Sequence, residues 1–470
     1  MSGQSHGILR KFAVLLGAQW FREVLQSIFL VVLARTSSTT YGEFMLAFSI
    51  AQVVVFVAEF GLNQHLVALL ARREMEKAEL LLEVSILKGG LLVVGMVGAW
   101  AFAVWQGYAP SLRLLVLVVV AGVGFQALTT SFYVAYQVEG RQHLEAATRA
   151  VSASLGFGYG LTTLLVGLSP VWVACYLAIE TLMGLGVSVA EMLGRAKAVW
   201  RRPNLGRLIN TAQGGLVFVL MAFAAILYNK NNIFFLQRFA GAEGVAQYSV
   251  TWQMVDGVSV LISNLLLKNV LFPLFVNLNR IGSGELAPMA RSCARWLLLA
   301  SLPVMFVLCV ESDRFILIIY GEGYRQAVDI QKILTLTVLF SFLHNLAAYL
   351  MMSVKRERLL LAFYLGGLAF NLFICGVWIP SNPLHGAVGA IVLTKGFMAM
   401  LTVGYCQWRI GLIPWITCLQ IGVAVAVGAT LYSVGSAVLF REAGEVLALT
   451  PAMGLAVWWY RQKGTTFVEK

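Results

Sequence analysis

Arg22 stands in an apolar run beside Gln19, Glu23 and Gln26. Their spacing of i, i+3, i+4 and i+7 puts all four on one face of a helix. Gln52, Glu59 and Asn63 repeat the arrangement one run later, and Gln126, Thr130, Tyr133 and Gln137 form a third polar stripe. Further on come Asn229-Lys230-Asn231-Asn232, then Gln253, Asp256, Asn264 and Lys268, then His344, Asn345, Asn371 and Lys395. Ionisable groups inside apolar runs are expensive and seldom face lipid. A cavity offering Arg22, Lys230 and Lys395 suits an anionic ligand. Tyr133, Trp20 and Trp252 either stack on sugar rings or fill space. The competing reading makes the amides interhelical polar contacts and Arg22 a neutralised structural pair with Glu23 or Glu59. Lys88 and Lys268 are placed to snorkel, whereas Lys395 lies about ten residues into its run, near mid-membrane by helical rise.

Covalent chemistry has little footing. The five histidines show no ligand spacing, and the six cysteines, without a CxxC pair, read as small hydrophobes. There is no Walker A, no GxSxG, no GxGxxG after a strand and no paired acidic metal motif. The sequence therefore implies no cofactor, no metal and no enzyme activity.

The elements that position these groups follow from composition. Of 470 residues, 59% are hydrophobic and 12% charged, with mean hydropathy +0.81. A globular chain carries roughly 25% charged residues, so lipid must solvate most of the exterior. A disordered chain, a disulfide scaffold and a conventional soluble enzyme are excluded. The net charge of +12 would suggest nucleic acid in a soluble protein. Here it reads as basic loops at an anionic membrane face.

Runs long enough to span fall near 12–34, 43–66, 80–105, 112–138, 144–168 and 170–193. After a basic stretch from Arg195 to Arg207 come 209–237, 245–276, 294–319, 327–353, 358–379, 385–408, 414–439 and 444–460. The expectation is an all-α integral membrane protein of about 14 (12–14) transmembrane helices, with no loop beyond roughly twenty residues. With the N-terminus inside, alternate loops hold 22 of the 34 Lys and Arg, Arg141 and Arg149 among them. The opposite side holds seven and the spans five. That bias places both termini in the cytoplasm. Ten of the twelve tryptophans sit near span ends, as an aromatic belt requires.

A weak internal repeat divides the chain. Leu33-Ala34-Arg35 precedes an aromatic at Phe44, and Leu236-Gln237-Arg238 precedes Tyr248. Each places Leu-x-Arg at an outer helix end before a short glycine-containing turn. Two six-helix lobes around a central cavity follow as the expectation, 1–200 and 201–410, with an additional helix pair and tail over 411–470.

Several segments resemble a known family. They are Leu33-Ala34-Arg35 with Tyr41-Gly42-Glu43-Phe44, then Glu59-Phe60-Gly61-Leu62, and Phe235-Leu236-Gln237-Arg238 through Gln247-Tyr248-Ser249. Ile319-Tyr320-Gly321-Glu322-Gly323-Tyr324 with Gln326-Ala327, and Ile379-Pro380 before His385-Gly386-Ala387-Val388-Gly389-Ala390, complete the set. Over about residues 8–410 the chain resembles the Wzx-type O-antigen and exopolysaccharide flippases of the multidrug/oligosaccharidyl-lipid/polysaccharide exporter superfamily. Asn231-Asn232 stand where relatives often carry an acid. The resemblance implies alternating access by two lobes in the bacterial inner membrane. It implies transfer of polyprenyl-diphosphate-linked oligosaccharide to the periplasmic leaflet, driven by an ion gradient or membrane potential. Polymerase and chain-length or ligase machinery would be partners, and nucleic acid would not. Arg22, Lys230 and Lys395, with Gln26, Tyr133 and Trp252, would contact the substrate, and Glu23, Glu59 or Asp256 would couple an ion. A multidrug or cation antiporter of the same superfamily is the alternative, but it should show a net acidic cavity.

Overall fold

The computed structural model describes residues 2–59, 62–63, 66–67, 70, 77–193, 216–282, 284–438 and 440–468. The basic stretch from Arg195 to Arg207, the start of the 209–237 run and the Phe60-Gly61 part of one motif lie outside the described residues. Helices account for nearly all of the described chain, as the apolar runs demand: in lipid each backbone N–H and C=O must be bonded within its own segment.

Chain contacts group the protein into two compact units. The first comprises Met1–Ser249, Ile319–Gly323 and Cys375–Ala387. Its helices are α1 (Ser2–Thr36), α2 (Ser38–Glu59), α3 (Lys77–Trp105), α4 (Pro110–Val138), α5 (Gln142–Leu165) and α6 (Pro170–Leu193). Within it α4 packs against α2, α3 and α6, while α5 packs against α1 and α6. Pro110 and Pro170 open their helices, where a missing N–H costs nothing. Val93, Val94 and Val97 on α3 lie open, as a face toward lipid tails would.

Helix α7 runs Leu216–Ile262 and continues through a π-helical segment, Ser263–Leu271, into α8 (Phe272–Ile281). As one straight helix, the 66 residues Leu216–Ile281 would reach roughly 100 Å, against a hydrocarbon core of about 30 Å. The path breaks at Gly241, whose φ of 67° lies where a Cβ is penalised. The break falls between the separate runs expected on either side of that position.

The second unit comprises Val250–Ile318, Tyr324–Ile374 and Val388–Lys470. It contains α9 (Leu286–Val310), α10 (Ser312–Tyr320) up to Ile318, α11 (Arg325–Leu334) and α12 (Leu336–Ser353). They are followed by α13 (Glu357–Trp378) up to Ile374, α14 (Pro383–Ile410) from Val388, α15 (Trp415–Val438) and α16 (Arg441–Val468). Two expected spans are interrupted: 294–319 divides at Glu311, and 327–353 divides at Thr335. The C-terminal pair α15–α16 belongs to this unit. Trp459 packs edge-on against Trp296 of α9, with ring centroids 6.1 Å apart. Arg441 bonds Asp313 at 2.7 Å, and Arg314 bonds Glu442 at 2.6 Å. The Arg441 guanidinium holds the Asp313 carboxyl well below the usual carboxylate range.

Among the described residues, eleven helices are long and apolar enough to cross a membrane, the 66-residue path counting as one. Helices α5 and α16, with 24 and 28 residues, are not among them. The all-α membrane architecture is as expected, and fourteen crossings remain an expectation.

The first unit depends on close approach of α5 to α6. A Cβ built on Gly156 would lie 2.7 Å from the Glu180 Cβ, and one on Gly160 would lie 2.8 Å from the Phe29 ring and 2.9 Å from the Tyr176 Cβ. This small-xxx-small face brings the backbones together. Gly158, on the same helix, has nothing within 4 Å of such an atom. Gly160→Leu is expected to destabilise the protein by about 1–3 kcal/mol or more. Gly158→Leu is expected to be neutral or stabilising by up to about 1 kcal/mol. Thermal unfolding of the two variants in one detergent measures the difference.

Candidate functional site

Helices α1, α4, α5 and α6 each aim polar groups at one point in the first unit. Arg22, midway along α1, donates through Nε to Glu180 of α6 and through Nη2 to the Gln126 Oε1 of α4 at 3.1 Å. The ion pair is nearly sealed, with the two side chains 11% and 10% exposed. A guanidinium and a carboxylate so placed neutralise each other where either alone would cost several kcal/mol. Gln126, Thr129 and Tyr133 recur along α4 at helical spacing, as do Arg149 and Ser152 on α5, so each helix contributes one stripe. Arg149 lies over the Tyr133 ring, 4.4 Å from its centroid, and bonds Glu145 at 2.8 Å. These groups enclose a cavity of about 20 Å³, room for a single water. Arg149, counted among the cytoplasmic charges, lies within α5 and lines this cavity.

A second cluster lies between α2, α3 and α4. Lys88 Nζ donates to the Asn63 Oδ1 at 2.7 Å, the Ser131 Oγ at 2.8 Å and the Ala127 carbonyl at 2.9 Å. At 1% exposure it does not snorkel. Three acceptors match the three protons of an ammonium, which is how a buried lysine retains its charge without water. Glu59 accepts from Asn63 at 3.2 Å and from Thr130 at 3.4 Å, joining the same network.

The second unit holds its own cluster. Lys395 of α14 bonds the Asp256 Oδ1 at 2.9 Å and the Ser341 Oγ at 3.1 Å. Its Nζ lies 4.7 Å from the centroid of the Trp252 ring, within cation–π range. Trp252 and Asp256 are one turn apart on α7, so a single helix face supplies both. One turn along α12 from Ser341, His344 contacts Tyr364 at 3.0 Å and Thr402 at 3.1 Å.

The positions expected to contact ligand are thus divided between units. Arg22, Gln26, Tyr133 and Lys230 fall in the first, and Trp252 and Lys395 in the second. Gln26 and Lys230 are half-buried. Of the expected coupling acids, Glu23 is 55% exposed and 3.5 Å from Arg22. Glu59 joins the Lys88 network, and Asp256 pairs with Lys395. Glu180 and Arg149 are absent from the expected site yet line the cavity with Arg22 and with Gln126 of the expected stripe. Asn232 is fully buried, donating to the Tyr248 hydroxyl at 3.2 Å and the Ala387 carbonyl at 3.3 Å. There it ties helix ends together. Among the described residues, no group of three or more His, Cys, Asp or Glu is placed to hold a metal ion.

Apolar helices around buried, internally neutralised clusters define a multi-pass membrane protein with polar interiors. The chain belongs to the polysaccharide biosynthesis protein family, whose profile matches residues 8–279. It is 30% identical over 127 residues to the teichuronic acid biosynthesis protein TuaB of Bacillus subtilis (strain 168). That match spans 27% of this chain and 26% of the relative, so it covers about a quarter of the relative's length. The fold is similar to that of the lipid II flippase MurJ, whose solved structure is in an inward closed conformation. The TM-score is 0.67 at 13% identity, covering 96% of this chain and 99% of that one. An inward-facing multidrug resistance MATE transporter of the MOP superfamily aligns with a TM-score of 0.63 at 13% identity, covering 83% of this chain and 94% of that one.

The pairing of Arg22 with Glu180 predicts non-additive mutational costs. Glu180→Leu, leaving the guanidinium unpaired, is expected to cost about 3–5 kcal/mol, and Arg22→Leu a similar amount. The double replacement is expected to recover most of that loss, because no lone charge remains. A double-mutant cycle on thermal unfolding measures the coupling.

Proposed function

We propose that this protein is a flippase that moves a lipid-linked oligosaccharide across the bacterial inner membrane by alternating access. The cargo would be a polyprenyl-diphosphate-linked O-antigen or exopolysaccharide repeat unit, taken from the cytoplasmic to the periplasmic leaflet. Both termini would be cytoplasmic, in keeping with the excess of Lys and Arg in alternate loops. The lobes would be 1–200 and 201–410, with 411–470 as an added pair. Membership of the polysaccharide biosynthesis family supports the substrate class. The single geometric observation that carries the reading is the cavity where Arg22, Arg149 and Tyr133 converge among apolar helices. A diphosphate-sugar head cannot enter hydrocarbon unaided because its charges would lose hydration. Guanidiniums present forked donors that match phosphate oxygens, and an aromatic face stacks on sugar.

At about 20 Å³ the cavity holds no sugar as it stands. Its lining helices must part for cargo to reach Arg22, and the diphosphate would then replace Glu180 as the counter-charge. In the second unit Lys395 would exchange Asp256 for an anionic group in the same way. Lys230 and Gln26 would line the route, and Trp252, released from Lys395, would offer a stacking face. Glu23, Glu59 and Asp256 are the acids proposed to carry a proton or sodium ion. No nucleotide chemistry is required.

In a deletion strain, loss of surface polymer together with accumulation of prenyl-diphosphate oligosaccharide in the cytoplasmic leaflet is the expected result. Arg22→Ala and Lys395→Ala, at matched membrane abundance, should restore export at least roughly tenfold less well than the parent, the cost of a lost charged hydrogen bond. Normal glycan with altered sensitivity to cationic dyes would sink this reading in favour of a multidrug or cation exporter.

A further inference from the structure

The second unit contains a larger cavity that the polar clusters do not use. It measures about 310 Å³ and lies where the start of α9, the ends of α12 and α14 and the start of α13 meet. Leu286, Leu350, Met351 and Cys406 form much of its wall, and Arg356 and Arg409 stand at its rim. The volume is at the lower end of the ligand-pocket range, ~300–1,000 Å³. At ~30 Å³ for a group the size of a liquid water it has room for on the order of ten methylenes. Water gains little there, because a predominantly apolar wall offers few hydrogen bonds.

The charges at the rim complete the specification. Arg291 is committed, donating to the Ile410 carbonyl at 2.6 Å and the Gly411 carbonyl at 3.1 Å, and so closing the end of α14. Arg356 and Arg409 are exposed, and among the described residues no carboxylate pairs with either. Arg409 lies over the ring of its neighbour Trp408, 4.8 Å from the centroid. An indole that is itself exposed is the side chain expected at headgroup depth.

We propose that this cavity binds an anionic membrane phospholipid, its phosphate between Arg356 and Arg409 and part of an acyl chain against Leu350 and Met351. Inorganic phosphate would satisfy the arginines and leave the cavity unfilled. A neutral lipid would fill the cavity and leave two guanidiniums unmatched. A phospholipid satisfies both features, and arginines at helix ends lie where bilayer headgroups lie. A prenyl-linked glycan shares this phosphate-and-chain chemistry, so the experiment separates the two. The inference is independent of whether the protein flips a glycan.

The full chain is placed in bilayer discs of phosphatidylcholine and phosphatidylglycerol, extracted gently, and its retained lipids are identified by native mass spectrometry. The parent should retain phosphatidylglycerol over phosphatidylcholine by on the order of tenfold. Arg356→Gln with Arg409→Gln should abolish that preference, and Arg356→Lys with Arg409→Lys should keep part of it. Cys406→Trp, which fills the cavity and leaves both charges, should lower retention of either lipid. Equal retention of the two lipids by the parent overturns the proposal without any variant. So does an undiminished preference in the double glutamine protein, displacement by inorganic phosphate alone, or selective retention of added prenyl-diphosphate glycan in place of phospholipid.

Discussion

An ionised side chain at lipid depth must find its counter-charge or its hydrogen bonds inside the protein, and the described helices are arranged around that requirement. Arg22 reaches Glu180 and Gln126 on two other helices, Lys88 reaches Ser131 of α4 and Asn63 beyond the end of α2, and Lys395 reaches Asp256 and Ser341 on two others. Each charge therefore joins three segments and fixes the rotation of its helices about their own axes. A turn of one helix by a quarter would trade a paired ion for a buried unpaired one. Leu or Val against lipid imposes nothing so specific, because tails accept any apolar face.

The same requirement limits what a sequence discloses. Polar faces were legible from spacing: Arg22 and the Gln126 to Tyr133 stripe both face inward. Partners were not, because Glu180 lies 158 residues from Arg22 and only packing of α5 on α6 brings it near. Lys88 looked able to reach a membrane surface because distance from a run's end is visible in sequence. Which side of the helix the neighbours cover is not. Arg149 was counted with the cytoplasmic charges although it falls within the 144–168 run, and only packing shows it on the cavity face of α5. The long path from Leu216 was separable into runs because polar residues and Gly241 interrupt it, whereas the breaks at Glu311 and Thr335 fall inside stretches that remain apolar on average.

The segments that carried the family resemblance have a physical role of their own. Arg35, at the end of α1, donates to the Ile319 carbonyl at 2.7 Å, and Gln247 donates to the Gly323 carbonyl at 2.7 Å. Asn232 reaches the Ala387 carbonyl, and Cys375 donates to the Asn232 Oδ1 at 2.8 Å. Each is a side chain bonding a segment far away in sequence, three times to a main-chain carbonyl at a turn or near a helix end. All of them lie within the first unit, to which Ile319–Gly323 and Cys375–Ala387 belong despite their distance along the chain. A carbonyl at a helix end needs a donor whatever the protein carries, so these motifs report how the chain is tied together. In the proposed function, substrate choice would reside in groups the motifs do not include. Arg22, Arg149 and Lys395 are such groups: their partners are side chains, and a carboxylate, unlike a main-chain carbonyl, can be exchanged for another anion without undoing a helix.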